Sequence, residues 1–202
     1  MSGKKDAAPK AVLSEAIEQL NLGIEGDKGA AKTAHKMLKE ICSHDPGNYL
    51  AEAYLGSATA LLGRDEIDPN KRFTLVLRGL KILDRVVSQH PENIEIRIAR
   101  GSVCQNLPEF YFHRHSTAVE DFSYLASRYE SDKNIFSQDL YWKVLYNLGL
   151  AYKQLGRTAE SESAWQKLWS VTEDPNKYRG LLKQEGFKPI SQPSGRQKFR
   201  RF

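Results

Sequence analysis

Stretches with helical periodicity alternate along this chain with short breaks rich in Pro, Gly and Asn. From Asn147 to Leu168, NLGLAYKQLGRTAESESAWQKL, apolar residues recur every three or four positions on both sides of a break at 155–157. This spacing predicts two amphipathic helices joined by a tight turn. Because one helix pair cannot bury its apolar face alone, the pattern also predicts that further pairs stack against it.

Proline-containing breaks divide the rest of the chain into similar units. They lie at 44–48, 90–93 and 173–176, and Pro cannot continue the hydrogen-bond ladder of the preceding helix. The predicted helix pairs are 10–24 with 29–44, 49–63 with 72–89, 93–106 with 113–130, and 138–155 with 158–172. A short helix near 175–185 is expected to cover the last apolar face, as terminal repeats require. No segment shows strand alternation, so the predicted fold class is all-α.

The net charge of +5 is concentrated at the two ends of the chain. Residues 188–202 contain five basic residues and no acidic one, and residues 1–10 contain three lysines and one aspartate. The body between them is close to neutral, so we expect no continuous basic face on it. We predict a flexible N-terminus over 1–9, a helical repeat domain over 10–187 and a basic disordered tail over 188–202.

No pattern in the chain indicates a membrane span or an exported protein. No run approaches the roughly 18 apolar residues that a spanning helix needs, and the first residues lead into no apolar signal segment. Cys42 and Cys104 are isolated within helical stretches, which favours free thiols in a reducing compartment. We therefore expect a cytoplasmic location.

The fourth helix pair carries a recognisable set of repeat residues. Leu148, Gly149 and Tyr152 lie in its first helix, Gly156 in its turn and Trp165 in its second helix. With these residues the chain resembles the tetratricopeptide repeat family, whose repeat is about 34 residues long. The resemblance implies a right-handed superhelical array of about four helix hairpins, closed by a C-terminal capping helix.

The other pairs follow the same repeat less closely. The second pair has Gly56 and Pro91 at matching positions, and the third pair has Gly101 and Ala118. The second pair exceeds the family length by about 11 residues, which we assign to 65–73. Small residues permit close helix crossings and large ones fill the space between pairs. The positions given this structural role are Gly56, Gly101, Ala118, Gly149, Tyr152 and Trp165.

The resemblance also implies a binding surface. In the family, the first helices of the pairs line a concave groove that binds extended peptides or partner helices. The outward positions carried over from the repeat register are Ala53, Ser57, Glu95, Ile98, Ser102, Gln105, Lys143, Tyr146, Leu150 and Lys153. We therefore predict a non-catalytic protein–protein interaction module, acting as an adaptor, scaffold or assembly factor. Self-association through an exposed end of the array is a second expected use.

A different class of function remains open for the tail. Basic residues there would contact phosphates of RNA or an anionic surface, with salt-sensitive affinity. The candidate contacts are Arg196, Lys198, Arg200 and Arg201.

The most unusual stretch is LPEFYFHRHSTAVEDF, from Leu107 to Phe122. His113 and His115 would need one or two further metal ligands, and no recognised spacing supplies them. We interpret the stretch as a lengthened turn whose aromatic side chains cover the core and whose histidines are solvated. Ser116 or Thr117 is expected to cap the helix that follows.

Two arginines in the third pair point to buried charge. Arg97 and Arg100 are three residues apart, at positions where the repeat register predicts an inward direction. Buried arginine is normally paired, so we expect ion pairs with acids on neighbouring helices such as Asp84 or Asp121. The alternative is that the two arginines receive an acidic group of a ligand.

No residue pattern indicates catalysis. The chain shows no nucleophile–base order and no Gly-rich phosphate loop. The acidic run at 65–68 lacks the Gly and the late Glu of a calcium loop. We predict that the chain is not an enzyme, and we expect no catalytic residue, no cofactor and no metal site.

Overall fold

The computed structural model describes residues 7–172 and 177–190, and within these ranges it contains ten α-helices and no strand. The all-α fold class is therefore confirmed. The helices are α1 Ala7–Glu25, α2 Lys28–His44, α3 Tyr49–Asp65, α4 Pro69–Gln89, α5 Ile94–Gln105, α6 Glu109–Phe112, α7 His115–Ser131, α8 Gln138–Gln154, α9 Thr158–Val171 and α10 Tyr178–Gln184.

The helices form four antiparallel pairs that stack in chain order. Helix α1 packs on α2, α3 on α4, α5 on α7, and α8 on α9. The second helix of each pair also packs on the first helix of the next pair, and α10 contacts both α8 and α9. This is the predicted array of four hairpins with a closing helix. The third pair has one additional element, the single turn α6 that precedes α7.

Polar caps determine where several helices begin. The side-chain oxygens of Asn48 and Asn93 accept hydrogen bonds of 3.0 Å from Ala51 N and Ile96 N. Such a cap stabilises a helix by about 1 kcal/mol. Asp68 likewise caps α4, followed by a proline at the first helical position. Helix α4 therefore begins at residue 69, whereas the sequence pattern predicted residue 72.

The residues assigned to a long insertion lengthen the helices of the second pair. Only residues 66–68 separate α3 from α4. Within this turn the Glu66 carboxylate accepts hydrogen bonds from Ile67 N and Asp68 N, at 2.9 and 3.2 Å. The carboxylates of this acidic run are thus used to terminate and start helices.

Close contacts between small and large residues hold each pair together. A Cβ atom added to Gly149 would overlap the indole nitrogen of Trp165, which donates a hydrogen bond of 3.1 Å to the carbonyl of Tyr146. A Cβ atom on Gly56 would lie 2.9 Å from Leu83. Gly79 of α4, which the repeat pattern did not single out, approaches α3 even more closely: its Cβ would lie 2.7 Å from Ala60 N.

The largest apolar cluster joins the last pairs and the closing segment. It extends from Phe122 of α7 through Leu145 and Trp165 to Phe187 beyond α10. The Phe187 ring meets that of Trp165 edge to face, with ring centroids 6.1 Å apart. Packing therefore continues past the last helix. The N-terminal residues 1–6 and the tail from residue 191 lie outside the described residues.

Candidate partner-binding surface

Three positions of the predicted groove are buried. Ala53 has no exposed surface and belongs to an apolar cluster with Leu83 and Ile96, while Ser57 and Gln105 are each 7% exposed. The Ser57 hydroxyl donates to the carbonyl of Ala53 at 3.2 Å. Side chains that are at most 7% exposed offer almost no contact to a partner unless the helices separate, so we exclude these three positions from the surface considered below.

At the C-terminal end of the predicted groove, the closing segment contacts two of the predicted residues. Lys153 Nζ donates to a Glu185 carboxylate oxygen at 2.7 Å and to the Glu185 carbonyl at 3.0 Å. The ring of Tyr146 lies 6.2 Å from that of Tyr178 in α10. Both side chains therefore contact this chain's own closing segment.

The remaining predicted positions keep some exposed surface on the first helices. Lys143 and Glu95 are exposed, whereas Ile98, Ser102 and Leu150 are half-buried. Ile98 and Leu150 also pack at the edge of the large apolar cluster. The first helices thus present a mixed surface with scattered polar and aliphatic side chains.

The structure resolves the two alternatives for the buried arginines in favour of ion pairs. Asp121, which has no exposed surface, receives Arg97 at 2.7 Å and Arg100 at 2.8 Å through both of its carboxylate oxygens. Burial alone would lower the pKa of the Arg100 guanidinium, but the hydrogen bonds and charge of Asp121 raise it above its usual value. The Arg97 guanidinium also lies 4.1 Å from the centroid of the Tyr124 ring.

Further ion pairs connect this network to the second helix pair. Asp84 of α4 accepts a hydrogen bond from Arg114 and lies 3.5 Å from Arg100. Both acids named in the sequence prediction therefore take part. Because these groups bind one another, they are structural links between α4, α5 and α7 and hold no open position for an acidic ligand.

An apolar groove lies at the edge of the array between the second and third pairs. We call it the edge groove; its volume is about 560 Å³. The C-terminal end of α3 and the first turns of α4 form one wall, and the segment from α5 to α6 forms the other. Its lining residues are Ala60, Gly63, Arg64, Pro69, Arg72, Phe73, Val76, Asn106, Leu107, Pro108, Tyr111 and Phe112.

The arginines of the edge groove are already engaged. Arg64 donates to the carbonyls of Gly23 and Ile24, at 2.9 and 3.1 Å, and to the carboxylate of Asp65. Arg72 donates to the Glu66 carbonyl at 2.7 Å. Their charged ends are therefore held against the backbone, and the groove presents mainly apolar atoms.

Helix α6 holds two aromatic side chains out into solvent beside this groove. Phe112 stacks on Phe73 with ring centroids 5.3 Å apart, which fixes the turn against α4. Phe110 and Tyr111 are 82% and 67% exposed. They meet edge to face at 5.2 Å. The prediction that this aromatic run covers the core is thus correct for Phe112 only.

The turn after α6 also differs from the sequence prediction. Neither Ser116 nor Thr117 caps α7; instead a Glu109 carboxylate oxygen accepts a hydrogen bond of 2.9 Å from His115 N. His113 takes the left-handed backbone conformation with φ 51°, which lets the chain reverse so that Glu109 reaches the start of α7.

The two histidines of this turn have different environments. His113 is solvated as predicted, with its side chain 77% exposed. His115 is buried, contrary to the prediction, and its Nε2 lies 2.9 Å from the Leu107 carbonyl. In the part of the chain that the structure describes, no group of three His, Cys, Asp or Glu residues could hold a metal ion.

The candidate tail contacts cannot be placed in the fold. Arg196, Lys198, Arg200 and Arg201 lie outside the described residues. The first tail residues, 188–190, are described, and Ile190 N donates a hydrogen bond of 2.9 Å to the side chain of Gln166.

Comparison with solved structures places the fold in a known class. No family model and no curated protein matches the chain. A mutant of MamA, a protein of the tetratricopeptide-repeat fold, matches with 18% identity and a TM-score of 0.55, covering 90% of both chains. MamA AMB-1 matches with 17% identity and a TM-score of 0.54, over 90% of this chain and 84% of that one. The MamA RS-1 ArsTM double mutant matches with 19% identity and a TM-score of 0.53, over 85% of both.

The chain therefore has a tetratricopeptide-like helical repeat fold, as the sequence resemblance predicted. At this level of identity the likeness concerns the fold alone. None of the described helices is both long and apolar enough to cross a membrane.

Proposed function

We propose that the chain is a non-catalytic protein-interaction module that binds an apolar segment of a partner protein in the edge groove. The observation that carries this proposal is the combination of an apolar groove of about 560 Å³ with two exposed aromatic side chains, Phe110 and Tyr111, at its border. Exposed apolar surface of this kind marks interaction sites in soluble proteins. Aromatic residues are also the commonest anchors of binding energy at interfaces.

The rigidity of α6 favours binding. The Phe112–Phe73 stack and the Glu109 cap hold the turn in place before any partner arrives. An anchor that is already ordered loses less conformational entropy on binding. Covering Phe110 and Tyr111 would contribute on the order of 3 kcal/mol each before the cost of association is subtracted.

The surface of the first helices is a second proposed contact region. Lys143 is exposed and Leu150, seven residues on along α8, is half-buried, so together they offer one polar and one aliphatic contact. Partner binding along first helices is what the family resemblance implies for this fold. We expect weaker partner binding there than at the edge groove, because no large exposed aromatic residue lies among the predicted positions.

Other sequence predictions remain predictions. Self-association through an end of the array is supported by α1, which exposes Val12, Leu22 and Ile24. RNA or anionic-surface binding depends on tail residues that lie outside the described part of the chain. A cytoplasmic location likewise rests on the sequence pattern alone.

Affinity capture with two double variants tests the proposed function. Phe110→Ser with Tyr111→Ser removes the aromatic anchors, and Lys143→Glu with Leu150→Ser alters the first-helix surface. The control is Val12→Ser with Tyr49→Ser, which removes exposed apolar side chains near the first turns of α1 and α3. These lie at the opposite helix ends from the edge groove.

We expect the Phe110–Tyr111 variant to lose about tenfold or more in affinity for the captured partner, while the control retains it. A binding curve measured with the purified partner gives the ratio, and circular dichroism verifies that each variant is folded. Loss only in the Lys143–Leu150 variant would move the site to the first helices. Retention of full affinity by both variants would refute the proposal.

A further inference from the structure

A second groove, lined by a different set of residues, lies between α2 and α4. Both helices pack beside α3, and the space between them has a volume of about 460 Å³. We call it the outer groove; α2 and α4 flank it, and α3 contributes Leu55 and Thr59. Its lining residues are His35, Lys39, Leu55, Thr59, Leu75, Arg78, Lys81, Ile82 and Arg85.

The rim of the outer groove is strongly basic. Lys39 of α2 and Arg78, Lys81 and Arg85 of α4 line it, whereas the one aspartate of α4 does not. The aspartate, Asp84, is directed to Arg100 and Arg114 of the third pair, so it does not neutralise the groove. The sequence predicted no continuous basic face on the body, whereas four basic residues and no acidic residue of the described chain line this groove.

Most of the basic side chains at the rim form no ion pair with an acidic residue in the part of the chain that the structure describes. Arg85 pairs with Glu52 at 3.2 Å, at one end of the groove. Among the described residues, Lys39, Arg78 and Lys81 form no ion pair, and all three side chains are exposed. Cations arranged along a groove attract a ligand of opposite charge.

The pKa of a histidine inside the groove is also affected by these cations. Burial lowers the pKa of His35, and the positive charge of nearby Lys39 lowers it further. This imidazole is therefore harder to protonate than an ordinary histidine, and the positive potential of the groove comes from the lysine and arginine side chains.

The aliphatic floor of the groove favours an acidic peptide over a nucleic acid as its ligand. It consists of aliphatic side chains, Leu55, Leu75 and Ile82, and no Phe, Tyr or Trp side chain from the described ranges lines it. Proteins that bind single-stranded nucleic acid rely on aromatic side chains against which the bases stack. A basic rim above an aliphatic floor instead complements a peptide that carries acidic and aliphatic side chains together.

We propose that the outer groove binds an acidic, leucine-containing segment of a partner protein. Carboxylates of the segment pair with Lys39, Arg78 and Lys81, and its aliphatic side chains rest on Leu75 and Ile82. This surface is separate from the edge groove, so the inference extends the proposed function and does not depend on it. A module with both surfaces holds two different segments, one apolar and one acidic.

Two synthetic peptides test the chemistry of the outer groove. One alternates glutamate with leucine, and the other alternates glutamate with serine, so that charge is equal and only the aliphatic component differs. Fluorescence anisotropy with the full chain is expected to show at least about fivefold tighter binding of the leucine peptide, because the floor adds apolar contact. Equal affinity for the two peptides would contradict the proposal.

Matched charge variants test the location. The groove variant is Lys39→Glu, Arg78→Glu and Lys81→Glu; the control is Lys10→Glu, Lys133→Glu and Lys183→Glu, which changes the net charge equally at exposed positions elsewhere. We expect the groove variant to lose about tenfold or more in affinity for the leucine peptide, and the control to lose less than about threefold. Equal losses would show non-specific attraction and overturn the proposal.

The same assay examines the competing anionic ligands. A single-stranded uridine oligonucleotide and vesicles containing phosphatidylserine are measured beside the leucine peptide at physiological salt. We expect both to bind more weakly than the peptide. Tighter binding of either one, abolished in the groove variant and kept in the control, would reassign the outer groove to nucleic acid or membrane and refute the peptide proposal.

Discussion

At the residue scale, the most consequential side chain is Asp121. It has no exposed surface and compensates two arginines that are themselves only 8% exposed. A buried ion pair contributes little beyond a well-packed apolar substitute, but removing one partner leaves an uncompensated charge. The stability of the third pair therefore depends on this carboxylate far more than on any surface acid.

Replacing this carboxylate has a predictable cost. Asp121→Asn is expected to lower the free energy of unfolding by about 3–5 kcal/mol, since Arg97 and Arg100 lose their shared partner. Glu120→Gln is the control, because Glu120 is 64% exposed although it contacts the same arginines. The control is expected to cost less than about 1 kcal/mol. Equal losses for the two variants in urea unfolding would refute this account of the network.

The sequence predicted this network because a buried arginine needs an acidic partner. Arg97 and Arg100 at inward positions required acids, and Asp84 and Asp121 were the suitable ones on neighbouring helices. The environment of His115 was not predictable in the same way. Its burial depends on how the turn after α6 folds back, which no local pattern encodes.

Gly149 provides a second residue-scale prediction. Gly149→Ala is expected to cost about 1–3 kcal/mol, because the added Cβ overlaps the Trp165 indole and disturbs its hydrogen bond to Tyr146. Gly180→Ala is the control, since its Cβ would meet nothing within 4 Å and alanine favours a helix. Thermal unfolding of the two variants gives the comparison. A Gly149 variant as stable as the control would contradict the close crossing of α8 and α9.

At the element scale, a carboxylate joins three helices of the last two pairs. Glu130 of α7 accepts hydrogen bonds of 2.8 Å from Tyr141 of α8 and from Lys167 of α9. Partial burial would raise the pKa of Glu130, but these two hydrogen bonds and the lysine charge lower it below its usual value. A lowered folded-state pKa means that the link stabilises the protein above the ordinary glutamate range and is lost as the pH falls below it.

Acid unfolding tests this link between helices. Wild type is expected to lose more stability than Glu130→Gln when the pH falls from about 6 to about 3. The difference should stay under about 1 kcal/mol, because the Glu130 side chain is 41% exposed and solvent screens it. Urea unfolding at the two pH values measures it. Identical pH dependence of the two proteins would show that the link carries no energy.

Helix boundaries show where sequence reasoning succeeded and where it failed. Periodicity and proline breaks located all four pairs, because each helix needs its own apolar face and its own stop. The start of α4 and the turn α6 were missed. Comparison with the repeat length treated residues 65–73 as an insertion, although Asp68 and Pro69 form a helix start of their own.

At the scale of the whole molecule, both candidate grooves arise between repeats and not within one. The edge groove combines the end of α3 with α6, and the outer groove combines α2 with α4. Residues from separate pairs meet only once the array is stacked. The periodic pattern therefore predicted the array, and the repeat register placed the binding surface on the first helices, where Ala53, Ser57 and Gln105 are buried.

The distribution of charge over the fold was likewise not predictable from the sequence alone. Summed over the sequence, the body between the tails is close to neutral. In the fold, four cations of α2 and α4 line one groove, whereas Asp84 and Asp121 pair with arginines of the third helix pair. A sum along the chain does not record which side of a helix pair each charge occupies.

The central claim is that a partner protein contacts the edge groove through the aromatic turn α6. The most direct measurement is in-cell photo-crosslinking with a photoreactive amino acid placed at the position of Tyr111, compared with the same amino acid at the position of Tyr49. Both tyrosines are exposed, but Tyr49 lies at the opposite end of α3 from the groove. We predict a discrete crosslinked protein from Tyr111 and none from Tyr49. Crosslinks from Tyr49 with none from Tyr111 would contradict the claim.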